Sequence, residues 1–273
     1  MSTAADDLGN NGHQDGPEVQ FDPEDPALYL NRELTWLAFN RRGLTEAERE
    51  RNPLLEQLKF LAIVGSNLDE FFMKRIGGLK QQEGAGVSTL TVDGRTPTEQ
   101  IAECYAEISD LLADQSVILA ELMKALAAEG IRVLDFEELD AAQRDQARAF
   151  FEQNVFPLLT PLVIDSAHPF PFISNLSVNL LVQVCQRGHD KPSIVRIKMP
   201  LGERTPRFIQ LGPDHTFVPL EQIIEHHLDL VLPGVDIVQC DFFRVTRNAV
   251  VERDEEQAND LLELIESELR ERR

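Results

Sequence analysis

The chain has 273 residues, 42% of them apolar and 27% charged, with a formal charge of −21. That is long enough for one large domain or two ordinary ones with a real core, and the charge argues against binding nucleic acid through a broad basic surface. A local basic pocket for phosphates stays compatible with it, because the field in a cleft depends on nearby charges rather than the net sum.

Residues 1–26 carry seven acidic side chains and no Lys or Arg; with so little to bury, they are expected to form a disordered acidic leader. The opening MSTAADDLGNNGHQDGPEVQ lacks the basic start and apolar run of a signal peptide. No apolar run reaches membrane-spanning length. Cys104, Cys185 and Cys240 lie far apart and show no CxxC or Cys/His ligand spacing, so neither a disulfide framework nor a zinc site is indicated. These features point to a cytoplasmic protein with no integral membrane segment.

Regular structure is expected from about Tyr29. Trp36, Phe39, Asn40, Gly43, Leu44 and Ala47 mark one buried face of a first helix, with Trp36 and Phe39 as core rather than a stacking platform. Asn52-Pro53 opens a second, with Leu54, Leu55, Leu58 and Leu61 inward. The polar break Gly65-Ser66-Asn67 predicts the start of a third: Ser66 can cap it, and Asp69 sits three residues on. Leu68, Phe71, Phe72, Ile76 and Leu79 then follow at helical spacing. This would place Asn67 in a first helical turn, where backbone N–H groups are unpaired. Gln81 to Gly94 reads as a loop. Thr96-Pro97-Thr98-Glu99 is a strong start for a helix of about thirty residues ended by Gly130.

After Gly130 the texture changes. Residues 131–134 read as a short strand, and Asp140 caps a helix to about Asn154. The prolines of Phe156 to Leu162 and of Ala167 to Phe172 forbid a continuous helix. Leu176 to Val184 alternates as a strand; 193–199 and 207–211 read as further strands. Residues 220–231 read as a helix, 235–251 as a long strand region and 255–272 as an amphipathic helix. The fold class expected is multidomain: an all-α N-terminal helical bundle over 27–129, then an α+β domain over 130–273.

Two segments resemble signatures of the large, four-domain bacterial polyphosphate kinases. Asn31-Arg32-Glu33-Leu34-Thr35-Trp36-Leu37-Ala38-Phe39-Asn40 and Ser66-Asn67-Leu68-Asp69-Glu70-Phe71-Phe72 are similar to NRELSWLxFN and SNLDEFF of the family's amino-terminal domain. Phe156 to Leu162, His168 to Ser177 and Phe243 to Asn248 resemble its head domain. The resemblance runs from about Tyr29 to Arg273 and implies a head domain incomplete at its C-terminus. It implies an enzyme that reversibly moves the terminal phosphate of ATP onto polyphosphate through a phosphohistidine. It also implies Mg²⁺, a homodimer formed through the head domain, and a cytoplasmic location or a peripheral one at the inner membrane face. The phosphorylated histidine, the magnesium ligands and most phosphate contacts would lie in phospholipase D-like domains beyond this sequence, so no catalytic or metal residue is expected here.

The site residue carried over is Asn67, which in similar enzymes contacts the ATP base; an amide offers a donor and an acceptor to an adenine edge. On spacing alone it is a solvated helix-start residue. Asp69 and Glu70 read as helix-start acids, not an acid/base pair. Arg32, Arg41, Arg42, Lys74 and Arg75 either face phosphate or form a solvated face, and the resemblance does not assign them. His168 reads as a turn residue, and adjacent His226 and His227 cannot both face one metal. His189-Asp190-Lys191 matches the start of an HxK motif, but Arg196 stands where its Asp is due. The alternative to an enzyme portion is a free-standing acidic interaction or nucleotide-binding module that kept the fold without the chemistry.

Overall fold

A computed structural model describes residues 22–164, 170–186 and 192–248. The acidic stretch 1–21, His168, the His189-Asp190-Lys191 turn and the 255–272 helix pattern lie outside the described residues.

The first half is helical. α1 (Arg32–Ala47) starts at Asn31, whose Oδ1 accepts from the backbone N–H of Glu33 and of Leu34, both at 3.0 Å. α2 (Leu54–Phe71) continues through a π-helical turn (Phe72–Ile76) into α3 (Gly77–Gly84). α4 (Pro97–Ala128) opens on a complete capping box between Thr96 and Glu99 and spans 32 residues. Gly130, at φ 83°, follows its end, a left-handed position that favours glycine. Leu37, Leu44, Val64, Leu68, Phe71, Cys104, Ile108 and Leu111 form the core between these helices.

Several expectations fail here. Gly65-Ser66-Asn67 does not break the helix; Ser66 is exposed in mid-helix, and its hydroxyl donates to Ile63 O at 3.0 Å instead of capping. Buried Val64, Leu68 and Phe71 continue one apolar stripe across the break, and that burial outweighs a weak local preference. Asn67 is therefore not in a first turn. The helical path also runs on to Gly84, into the expected loop. Leu55, Leu112 and Leu119 face outward, and so does Phe39, 61% exposed.

The second half is α+β. β1 (Arg132–Val133) runs parallel to β6 (Thr216–Pro219), which pairs antiparallel with β5 (Phe208–Gln210). α5 (Ala141–Phe150) is capped by Asp140 and Gln143 and passes into a second π-helical turn (Phe151–Val155). β2 (Pro161–Ile164), β3 (Val178–Gln186), β4 (Pro192–Lys198) and β7 (Val235–Arg244) make an antiparallel sheet in the order β2-β4-β3-β7. Leu180, Val182, Val184, Val195 and Ile197 put one face of this sheet into a core with Phe151, Ile223 and Leu228.

Leu176, expected in a strand, instead takes φ 57° in the turn before β3. The expected 220–231 helix is two short ones, α6 (Leu220–Glu225) and α7 (Leu228–Val231). His226 and His227 stand between them, the first exposed and the second buried: each Nδ1 lies within 2.8 Å of the carbonyl oxygen four residues earlier, on Gln222 and Ile223 respectively. His227 also stacks on Phe151, with ring centroids 4.8 Å apart.

Candidate functional site

Asn67, Glu70, Phe71 and Lys74 fall at i, i+3, i+4 and i+7, so one stripe of the α2 path presents all four. Trp36 and Phe39 come from the facing side of α1. Together with Arg75 they line a cavity of about 660 Å³. Trp36 stacks on Phe71 with centroids 4.9 Å apart. Phe39 is a wall of this cavity rather than core, and Arg42 reaches over its ring with Cζ 5.9 Å from the centroid.

The two helices come close because residue 43 is glycine; a Cβ there would stand 2.6 Å from Val64 Cγ2. The same approach brings Asn40, 2% exposed, under Asn67. Asn40 Nδ2 donates to Val64 O at 3.3 Å, and Asn67 Nδ2 donates to Asn40 Oδ1 at 3.0 Å. Asn67 is thus half-buried and held from beneath.

The charges around the cavity are already partly paired. Glu70 bonds Lys74 one turn on. Arg75 Nε lies 3.6 Å from Oε2 of buried Glu33, an ion pair too long for a hydrogen bond. Arg41 is turned away, onto Glu107 at 2.9 Å and Asp114 at 2.6 Å. Of the five basic residues set out from the sequence, only Lys74 and Arg75 line the cavity.

The second half of the chain meets the helical half at Asp69, two residues along the helix from Asn67. Arg244, at the end of β7, grips Asp69 with both nitrogens, Nη1–Oδ2 at 2.9 Å and Nη2–Oδ1 at 2.6 Å. The helix-start reading of Asp69 is corrected accordingly: this carboxylate is a tie between the two halves. Such a two-pronged pair fixes orientation as well as distance. Asn175 Nδ2 reaches Met73 Sδ at 3.5 Å, while its Oδ1 accepts from the Arg247 N–H at 2.9 Å. Gly77 keeps the seam tight, since a Cβ there would lie 2.7 Å from Asn248 Oδ1. Three sequence segments far apart in the chain therefore converge within a few residues of the cavity.

Sequence reasoning placed Asn40 on the buried face but missed its bond to Asn67, and it missed Arg244 and the outward turn of Phe39. For Asn40 a signal existed: an amide in the apolar stripe of Leu37, Leu44 and Ala47 must find a partner. Nothing local announces Arg244, whose partner is 175 residues away.

Comparison with known proteins matches the same segments. The model of the polyphosphate kinase N-terminal domain covers residues 29–134, and that of the polyphosphate kinase middle domain covers 142–273. A polyphosphate kinase of Synechocystis sp. is 48% identical over 269 residues, taking in 94% of this chain and 36% of that protein. Polyphosphate kinase 1 of Chlorobaculum tepidum is 43% identical over 260 residues, covering 91% of this chain and 37% of its own length. The crystal structure of polyphosphate kinase from Porphyromonas gingivalis superposes with a TM-score of 0.69 at 26% identity, over 82% of this chain and 34% of that one. The chain thus spans little more than a third of the curated relatives it matches. On its two matched domains and its helical-then-α+β architecture, the chain belongs to the polyphosphate kinase family.

Proposed function

We propose that this chain is the nucleotide-side portion of a polyphosphate kinase that transfers the terminal phosphate of ATP reversibly to polyphosphate. In this reading residues 27–129 form the nucleotide-side domain and 130–273 belong to the head domain. The observation that carries it is the cavity lined by Asn67, Phe39, Lys74 and Arg75, on a helix whose Asp69 is gripped by Arg244 of the head-domain segment. Asn67 meets the adenine base; an aromatic wall beside an amide suits a flat heterocycle with a polar edge.

The phosphoryl chemistry belongs to the remaining length of the family. No three His, Cys, Asp or Glu side chains among the described residues stand close enough to hold a metal ion. The family resemblance implies Mg²⁺ but assigns it no residue of this chain, and no step is routed through it. No described helix is long and apolar enough to cross a membrane, and we place the protein in the cytoplasm or at the inner membrane face. It acts as a homodimer joined through the head domain.

The test is synthesis from labelled ATP with Mg²⁺ and a polyphosphate primer. The full-length protein is expected to lengthen the primer, and this 273-residue chain alone is expected to do nothing. Sustained growth by the clean short chain would contradict this division of labour. An inert full-length protein that still binds nucleotide would favour a binding module instead.

A further inference from the structure

We infer that Asn40 sets which end of the Asn67 amide is offered to the cavity, and thereby makes the site prefer adenine to guanine. The inference rests on the reading that this cavity takes the base of a nucleotide.

An amide side chain can be turned either way round, and its hydrogen-bond partners decide. A backbone carbonyl can only accept. Because Asn40 lies against Val64 O at 3.3 Å, the end facing that carbonyl must be Nδ2. Its other end, Oδ1, then faces Asn67 and can only accept, so Asn67 must present Nδ2, 3.0 Å away. The direction passes from a main-chain group that cannot reverse, through a residue 2% exposed, to one that lines the cavity.

Asn67 is left with Oδ1 and its second Nδ2 hydrogen. Among the described residues nothing donates to that oxygen. The free hydrogen suits N7, which adenine and guanine share. The oxygen suits the N6 amino group of adenine and opposes the O6 carbonyl of guanine. A reversed amide would lose this discrimination. Asn40 touches no substrate in this scheme; it is a positioning residue, and its burial protects the relay from water.

Two variants of the full-length enzyme separate positioning from mere support. Asn40→Leu keeps the approximate shape and removes the acceptor, freeing the Asn67 amide to turn. Asn40→Asp keeps an acceptor for Asn67 whether ionised or protonated, and when protonated it also restores a donor to Val64 O. We expect Asn40→Leu to lower the ATP-to-GTP ratio of kcat/KM roughly fivefold to tenfold, the scale of one hydrogen bond. Asn40→Asp should stay within about twofold of the parent ratio, even where its melting temperature falls.

A folded Asn40→Leu enzyme with unaltered preference overturns the inference. So does equal loss of preference in both variants, which would mark a structural role. If Asn40→Leu does not fold, Asn40→Asp decides alone: retained preference supports the relay and lost preference refutes it. Asn67→Ala is run beside them. If that change also leaves base preference untouched, the nucleotide reading of the cavity fails and the relay falls with it; if Asn67→Ala shifts preference and Asn40→Leu does not, only the relay falls.

Discussion

Asn31 and Asp93 join three segments of the helical half through one amide and one carboxylate. Asn31 caps α1 and donates to Asp93 Oδ2 at 3.0 Å and to Gln100 Oε1 of α4 at 3.1 Å. Burial opposes charge on Asp93, but hydrogen bonds from Thr91, Asn31 and Arg95 outweigh it and hold the carboxyl down to about 2. A depressed carboxylate stabilises the fold fully above its unfolded value near 4, and the benefit is lost as pH falls toward 2. Asp93→Asn is therefore expected to lower stability at neutral pH by about 1–3 kcal/mol, with the gap to the parent closing between about pH 4 and 2. Thermal melts of both proteins across that range check it; a gap constant with pH would contradict the assignment. At this scale the sequence was only partly legible. The resemblance singled out Asn67, yet its contacts depend on Asn40 and Gly43 from another helix. Phe39 reads as core by periodicity, but the helix facing it leaves a cavity there.

The elements were easiest to read where the signal is local. Thr96, Pro97 and Glu99 carry every part of a helix start within four residues, and the helix begins there. Gly65-Ser66-Asn67 carries a weaker local signal, and packing on both sides overrides it. Ser66→Ala tests that correction. A cap lost to alanine costs about 1 kcal/mol, whereas an exposed mid-helix serine replaced by alanine gains a few tenths. Unchanged or slightly raised stability in denaturant melts is the expected result, and a drop of about 1 kcal/mol would restore the cap. β6 shows the opposite limit: Thr216 to Pro219 is a strand because β1 and β5 lie on either side of it, which four residues cannot announce.

At the scale of the molecule, the four-stranded sheet ends on β2 and β7, and both carry outward apolar residues. Leu162 and Val163 are 39% and 51% exposed, and Ile237, Val238 and Phe242 are 39%, 56% and 40%. Apolar edges of this kind favour self-association. The 273-residue chain is expected to form concentration-dependent oligomers or aggregates in light scattering, less so with Val238→Lys; a monodisperse monomer at high concentration would count against it. The two-part architecture was legible because helical periodicity gives way to alternation after Gly130. How the parts meet was not, since the tie from Arg244 to Asp69 exists only in three dimensions. That tie sits two residues from Asn67, on which the functional account turns. The most direct test is steady-state kinetics of Asn67→Ala in the full-length enzyme with ATP and GTP, beside a melt of both proteins. A folded enzyme is expected, its KM for ATP raised by the equivalent of about 1–3 kcal/mol and its preference for adenine weakened. An unchanged KM with unchanged base preference would contradict it.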